Sequence, residues 1–227
     1  MVHVRKLDGK PLHFGHRGWL WHDAFLLYDH ETDSIWHHQT GWAMSGPRRG
    51  RALARLPAST MTFGAWRAEH PDTLVLPKPT DPETPVDADT YAERNAALAL
   101  GVGVDLAGDF RLYPFDALSS DGVVEEVIGD LPLVVARDRR AGAAFAYDRR
   151  VDGETLSFAR VTDGGRPVLR EAAGPRRWYL RTGLPVAGRA DEALRPLLAA
   201  TWETFAWRRQ HPAGTVYPAR VPRSVPR

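Results

Sequence analysis

Three blocks of this sequence occur twice in the same order, which constrains the chain to fold as two like units. Arg5-Lys6-Leu7-Asp8-Gly9, then Leu12 and Phe14, returns as Arg149-Arg150-Val151-Asp152-Gly153, then Leu156 and Phe158. Trp36, Thr40, Gly41 and Gly46 return as Trp178, Thr182, Gly183 and Gly188. Ala65-Trp66-Arg67 with His70-Pro71 returns as Ala206-Trp207-Arg208 with His211-Pro212. A near-constant offset of this kind marks one supersecondary unit used twice. Residues 3–76 and 147–217 are therefore expected to be two copies of one unit. The expected organisation is a first unit over 1–76, a proline-rich acidic linker over 77–90, a different β unit over 91–146, a second copy over 147–217 and a tail over 218–227, in one compact body.

Turn signals decide the element type. With 20 glycines and 18 prolines among 227 residues, a helical bundle is excluded and short strands are favoured. Asp8-Gly9 is a turn signal ahead of a short strand, and Ala107-Gly108-Asp109, Gly129-Asp130 and Asp152-Gly153 predict hairpins. AFLLYDH at 24–30 reads as a buried strand, and SIWHHQTGWAM at 34–44 as a strand broken at Gly41. In that strand Trp36, His38 and Thr40 share one face, with His37 and Gln39 on the other. A helix is predicted from an N-cap at Ser59 or Thr60 to about His70, and a short one near 90–97. His70 and His211 read as helix-end residues, suited to the negative end of the dipole. The fold class is α+β, dominated by antiparallel strands with a few short helices.

The copies differ in their chemistry. The stretch from His13 to Gly46 holds six of the nine histidines and four of the eight tryptophans. In the second copy His13, His16, His37 and His38 align with Ser157, Arg160, Tyr179 and Leu180, and YDHET becomes LREAA. The fold does not need these histidines, so they are free to hold a function. Two or three imidazoles with a carboxylate form an open site for Zn, Cu or Fe. The expected ligands of such a divalent metal are His16, His22, His38 and Glu31, with His30 and His37 as substitutes and His16 facing His38 across neighbouring strands. Without a metal, His22 or His38 with Asp23, Asp29 or Glu31 could act as a general acid and base; the catalytic set is His22, Asp29 and Glu31. Trp19, Trp21 and Trp42 could hold a planar or cationic ligand. The first functional expectation is thus a metal-binding protein or metal-dependent enzyme acting on a small molecule. The alternative is a non-catalytic binding or scaffold protein using an aromatic groove or the basic C-terminal half.

Composition narrows the partners. With no cysteine, disulfides, zinc–thiolate sites and thiol nucleophiles are excluded. Residues 1–136 carry 12 basic and 19 acidic side chains, residues 137–227 carry 18 and 9. A basic half can bind polyanions, but no nucleic-acid motif accompanies it and no nucleic-acid partner is expected. No apolar run reaches the roughly 18 residues of a membrane span. The opening MVHVRKLDGKPLHF lacks the apolar core of a secretory signal, so a cytoplasmic location is expected. No phosphate-binding loop, dinucleotide fingerprint or nucleophile elbow is present.

The blocks YDHETDSIWHHQTGWAMSGP, RLPASTMTFGAWRAEHPDTLVL, GDFRLYPFDALSSDGVVEEVIGDLPLVV and AFAYDRRVDGETLSF resemble DUF3179, an uncharacterised bacterial and archaeal family. The resemblance covers most of residues 5–217 and implies a mostly β fold with no established activity. Some members carry a Cys-Pro-x-Cys-Gly segment where this chain has Asp138-Arg139-Arg140-Ala141-Gly142. The arginine usual between the Asp and Glu of the first copy is His30 here.

Overall fold

In the computed structural model, residues 1–22, 24–76, 99–106, 108–118 and 122–218 are described. The linker expected at 77–90 and the helix expected near 90–97 lie outside the described residues. The fold is strand-rich, with several small antiparallel sheets and two α-helices among the described residues, α1 (Phe63–Glu69) and α2 (Thr204–Gln210). None of the helices is long and apolar enough to cross a membrane.

The N-terminal sheet is a meander of Phe14–Trp21, Ala24–Asp29, Ile35–His37 and Ala43–Ser45. Its core is Leu12, Trp36, Ala43 and Leu53. The strand expected over 34–44 ends at His37, and the chain turns back through Gly41, whose φ of 73° suits a residue without a Cβ. A C-terminal sheet of Phe158–Asp163, Arg166–Glu171 and Arg177–Tyr179 is a three-stranded meander. Its inner residues Phe158, Leu169 and Trp178 join a larger core with Phe145 and Tyr147.

Between the meanders, Val123–Ile128, Leu131–Asp138 and Ala143–Asp148 form one sheet. Leu100–Leu106 and Asp109–Pro114 form the predicted hairpin, flanked by Leu198–Glu203 on one side and by Thr215–Val216, paired parallel, on the other. After Pro114 the chain makes a turn over residues 115–117.

Positions that correspond in the sequence have matching local geometry. Asp8 and Gly9 take φ of 51° and 77°, and Asp152 and Gly153 take 51° and 82°, the two left-handed residues of a type I′ hairpin turn. Phe14 meets Trp36 edge-on at 5.8 Å, and Phe158 meets Trp178 at 5.5 Å. Gly41 N–H donates to the His37 carbonyl and Gly183 N–H to that of Tyr179, each at 2.8 Å. Both helices end at a histidine cap, His70 at φ −129°, ψ 69° and His211 at φ −129°, ψ 67°.

The helix start differs from the expectation. Thr62 is the N-cap, its hydroxyl accepting from Ala65 N–H. Residues before it run along the edge of Ala143–Asp148 instead: Ser59 Oγ donates to the Ala144 carbonyl and Thr62 N–H to that of Ala141. This tertiary pairing holds Ser59 and Thr60 extended. Helix α1 thereby lies against the C-terminal core, with Met61 and Ala65 packed on it. Helix α2 reaches the other way, and Gln210 Nε2 donates to the His22 carbonyl at 2.9 Å.

Candidate functional site

The edge strand Phe14–Trp21 loses regular register between His16 and Leu20, and Gly18 takes φ of 75°. Beyond that bulge the hairpin turn is held to α2 through the Gln210–His22 bond, while its side chains face outward. Trp19, Leu20 and Trp21 are 58, 69 and 50% exposed, so both faces of the strand meet solvent. The Arg17 guanidinium lies over Trp19 at 5.5 Å and over Tyr28 at 4.7 Å. Trp21 stacks on His22 at 4.9 Å. Among the described residues, thirteen of the sixteen exposed large apolar side chains belong to residues 1–76; only Leu184 and Phe205 belong to 147–217. Four of them, Trp19, Leu20, Trp21 and Phe25, lie together on this one hairpin.

Phe25, which carried no assignment in the sequence, organises the histidines. Its ring stacks flat on His38 at 3.7 Å and edge-on to His16 at 5.1 Å. Because the strand Ala24–Asp29 lies between those of His16 and His37, the two imidazoles are not cross-strand neighbours, and Phe25 occupies the space between them.

Hydrogen bonds assign the tautomers. A carbonyl only accepts, so the 2.9 Å contact of His38 Nδ1 with the Phe25 carbonyl puts the proton on Nδ1 and leaves Nε2 bare. Burial, outweighing the Phe25 bond, lowers the His38 pKa, with the N-terminus and the His3 and His16 imidazoles adding to it. His16 is the opposite case: its Nδ1 accepts from Gly18 N–H at 3.2 Å, so Nε2 carries the proton. His3 Nε2 donates to the His38 carbonyl at 2.8 Å, leaving a buried Nδ1 without a partner. His37 is only 4% exposed. Its Nδ1 accepts from Thr40 N–H, its Nε2 is buried without a partner, and burial together with His38, His22 and His211 pushes its pKa down to about 4.

The expected carboxylates lie elsewhere. Asp29 is fully buried, accepting from Trp36 Nε1 at 2.7 Å and from Thr32 N–H and Oγ1 at 2.7 and 2.8 Å, with Arg48 at 2.9 Å. Burial alone would raise its pKa; those bonds and the Arg48 charge hold it below the usual value. Glu31 accepts from His13 N–H and Nδ1, and the His13 bond lowers its pKa. Five residue steps separate Ala24, beside His22, from Asp29, roughly 16 Å at strand rise. His22 is therefore not joined to Asp29 or Glu31. Asp23 is outside the described residues. Among the described residues no group of three or more His, Asp or Glu is arranged to hold a metal. Trp42 sits at the far edge of the meander, three strand spacings, about 14 Å, from Trp19 and Trp21. The three tryptophans do not wall one groove.

The turn at Asp138-Arg139-Arg140-Ala141-Gly142 is closed by a carboxylate. Asp138 Oδ1 accepts from Arg140 and Ala141 N–H, and its Oδ2 accepts from Arg181 Nε at 2.7 Å. Arg181 also pairs with Glu69 of α1 at 2.9 Å. No sequence signal joined these residues, because they come from three distant segments.

No curated protein and no solved structure matches the chain. The model of a protein family of unknown function, DUF3179, matches residues 1–214, almost the whole length, and the chain belongs to that family.

Proposed function

We propose that residues 3–76 and 147–217 are two copies of one unit, and that the protein is a non-catalytic binding protein. Its contact surface is the hairpin tip Trp19-Leu20-Trp21 with the adjoining Phe25, and its occupant is another protein. The observation that carries this reading is the exposure of three consecutive large apolar side chains on an edge hairpin. Tryptophans beside an arginine are the residue types that dominate binding energy at protein contacts. The carboxylates that would make the site catalytic are committed to Trp36, Thr32, Arg48 and His13.

The test is a photo-crosslinker in place of Trp21 in cells that make the protein. A crosslinked partner is then purified and its affinity measured. Changing Trp19 and Trp21 to serine should weaken binding at least about tenfold, while Leu184→Ala, at the exposed position of the other copy, should leave it unchanged. Unaltered affinity in the double variant, or no specific adduct, overturns the reading.

A second reading rests on His38. An imidazole whose Nδ1–H is fixed by a backbone carbonyl presents Nε2 as a metal ligand, and a divalent Zn, Cu or Fe ion there would need a further ligand drawn from His3, His16 or His22. Titration of tag-free protein with Zn²⁺ should then show one site, lost in His38→Ala. Absence of a saturable heat sinks this reading.

A further inference from the structure

Beyond the hairpin surface, a cleft of about 290 Å³ lies where α1 crosses onto the C-terminal core. Its walls include Met61, Trp66, Phe145, Tyr147, Arg181 and Thr182. The corresponding place on the other side of the molecule, where α2 crosses the Leu100–Leu106 strand, is closed to about 10 Å³. Two lining positions of one correspond to two of the other: Trp66 to Trp207 and Met61 to Trp202. The difference lies in the side chains. Trp207 is 1% exposed and lies against Gly103, where an added Cβ would meet its Nε1 at 2.7 Å and Trp202 Cδ1 at 2.8 Å. Trp66 instead is 39% exposed, its Nε1 donating to Thr73 Oγ1 at 2.8 Å and its ring stacked on His70 at 4.0 Å. Where one copy fills the junction with indole rings, the other leaves it open.

We infer that the open cleft is a binding site for one small, flat, uncharged aromatic molecule of about indole size. The size follows from what occupies the corresponding junction, and the volume sits at the lower end for a ligand pocket. Met61, Trp66, Phe145 and Tyr147 make part of the wall aromatic or thioether surface suited to a flat ring. Charge argues for a neutral ligand, because the Arg181 guanidinium is already matched by Asp138 and Glu69. Tyr147 spends its hydroxyl proton on the Leu180 carbonyl at 2.9 Å. Thr182 Oγ1 accepts from Leu184 N–H, so its own proton remains to donate to a ring substituent or carbonyl of the ligand.

The three methionines, Met1, Met44 and Met61, provide the readout. Met61 lines the open cleft and Met1 the closed one. Indole is titrated into protein carrying ¹³C-methyl methionine. A saturable shift of the Met61 signal, with Met1 and Met44 unmoved, is expected. Met61→Trp, which puts the residue of the closed junction into the open one, should lower indole affinity at least tenfold by ligand-observed saturation transfer. Should that variant fail to fold, Trp66→Ala is read at the Met61 methyl and should show the same loss. Serine at Trp19 and Trp21 should change nothing, which separates this site from the hairpin surface. An unmoved Met61 signal up to the solubility limit of indole overturns the inference. So does a common shift of all three methyls, or unaltered affinity in the cleft variants.

Discussion

The N-terminal and C-terminal regions share their turns and their edge-on Phe–Trp pair, and each α-helix ends at a histidine, yet their exposed apolar side chains differ. Both carry surface ion pairs: Arg176 with Glu171, Glu154 and Asp152 and Arg177 with Asp163 in the C-terminal region, and Arg17 with Asp33 and Arg51 with Asp8 in the N-terminal one. The N-terminal unit exposes tryptophan, leucine and phenylalanine and gathers histidines beneath them. Even equivalent roles are filled differently. Tyr147 and His3 each lie where a Cβ on the facing glycine, Gly183 or Gly41, would strike the ring. Each ring donates to a strand-end carbonyl, of Leu180 or His38. What survives in both units is backbone geometry and the rings that pack on it. What differs is the layer free to vary without unfolding the chain.

The largest test of that division sets Trp207 against Trp66. Trp207→Ala removes a buried indole and should cost about 3–5 kcal/mol in urea unfolding. Trp66→Ala, at the position aligned with it in the sequence, should cost about 1 kcal/mol, because its ring is partly in water already. Equal losses would break the comparison, since both indoles would then belong to the fold.

Acid should distinguish the units next. His37 titrates near 4 when folded and near 6.5 when unfolded. The unfolded chain therefore binds more protons between those values, and stability falls as pH drops from about 6.5 to 4, by roughly 3 kcal/mol from this group. His3, His38 and His211, each lowered chiefly by burial, act in the same direction. His37→Tyr, which installs the residue at the aligned position 179, should flatten that part of the stability curve followed by urea unfolding from pH 7 to 4. An unchanged slope would show that His37 is not the buried neutral group its surroundings require.

A smaller effect belongs to Asp29. Its carboxylate faces only donors, Trp36 Nε1, Thr32 N–H and Oγ1, and Arg48. Asn at this position turns an N–H₂ toward one of them and loses the charge opposite Arg48. Asp29→Asn should cost about 2 kcal/mol in thermal or urea unfolding. A neutral substitution would leave Trp36 held by packing alone.

Much of the fold was legible because it is written locally. Asp8-Gly9, Gly129-Asp130 and Asp152-Gly153 mark turns where they stand, and alternation marks the strands beside them. The start of α1 was not, because Ser59 and Thr60 are held extended by the edge of Ala143–Asp148, some eighty residues away in sequence. The site was legible only as a stretch. The clustering of histidine and tryptophan drew attention to residues 13–46. But which imidazole nitrogen is bare depends on partners such as the Phe25 carbonyl, and the separation of Trp42 from Trp19 depends on strand order. The cleft at α1 gave no signal at all, since Met61, Tyr147 and Arg181 meet only through the fold.

The smallest expected effect is the sharpest for function. If the tip Trp19-Leu20-Trp21 belongs to the variable layer, replacing Trp19 and Trp21 with serine should shift unfolding free energy by under about 0.5 kcal/mol, as for substitutions away from packed features. The tip's contacts explain why. Arg17 retains Tyr28 and its ion pair with Asp33 when Trp19 is gone. His22 holds Gln210 through its backbone carbonyl, which a change at Trp21 leaves in place. A loss above 1 kcal/mol in urea unfolding would mean that the exposed indoles themselves stabilise the sheet. Near-unchanged stability with better solubility would instead leave these rings with no role in folding, and a partner would remain as the physical reason for keeping that much apolar surface in water.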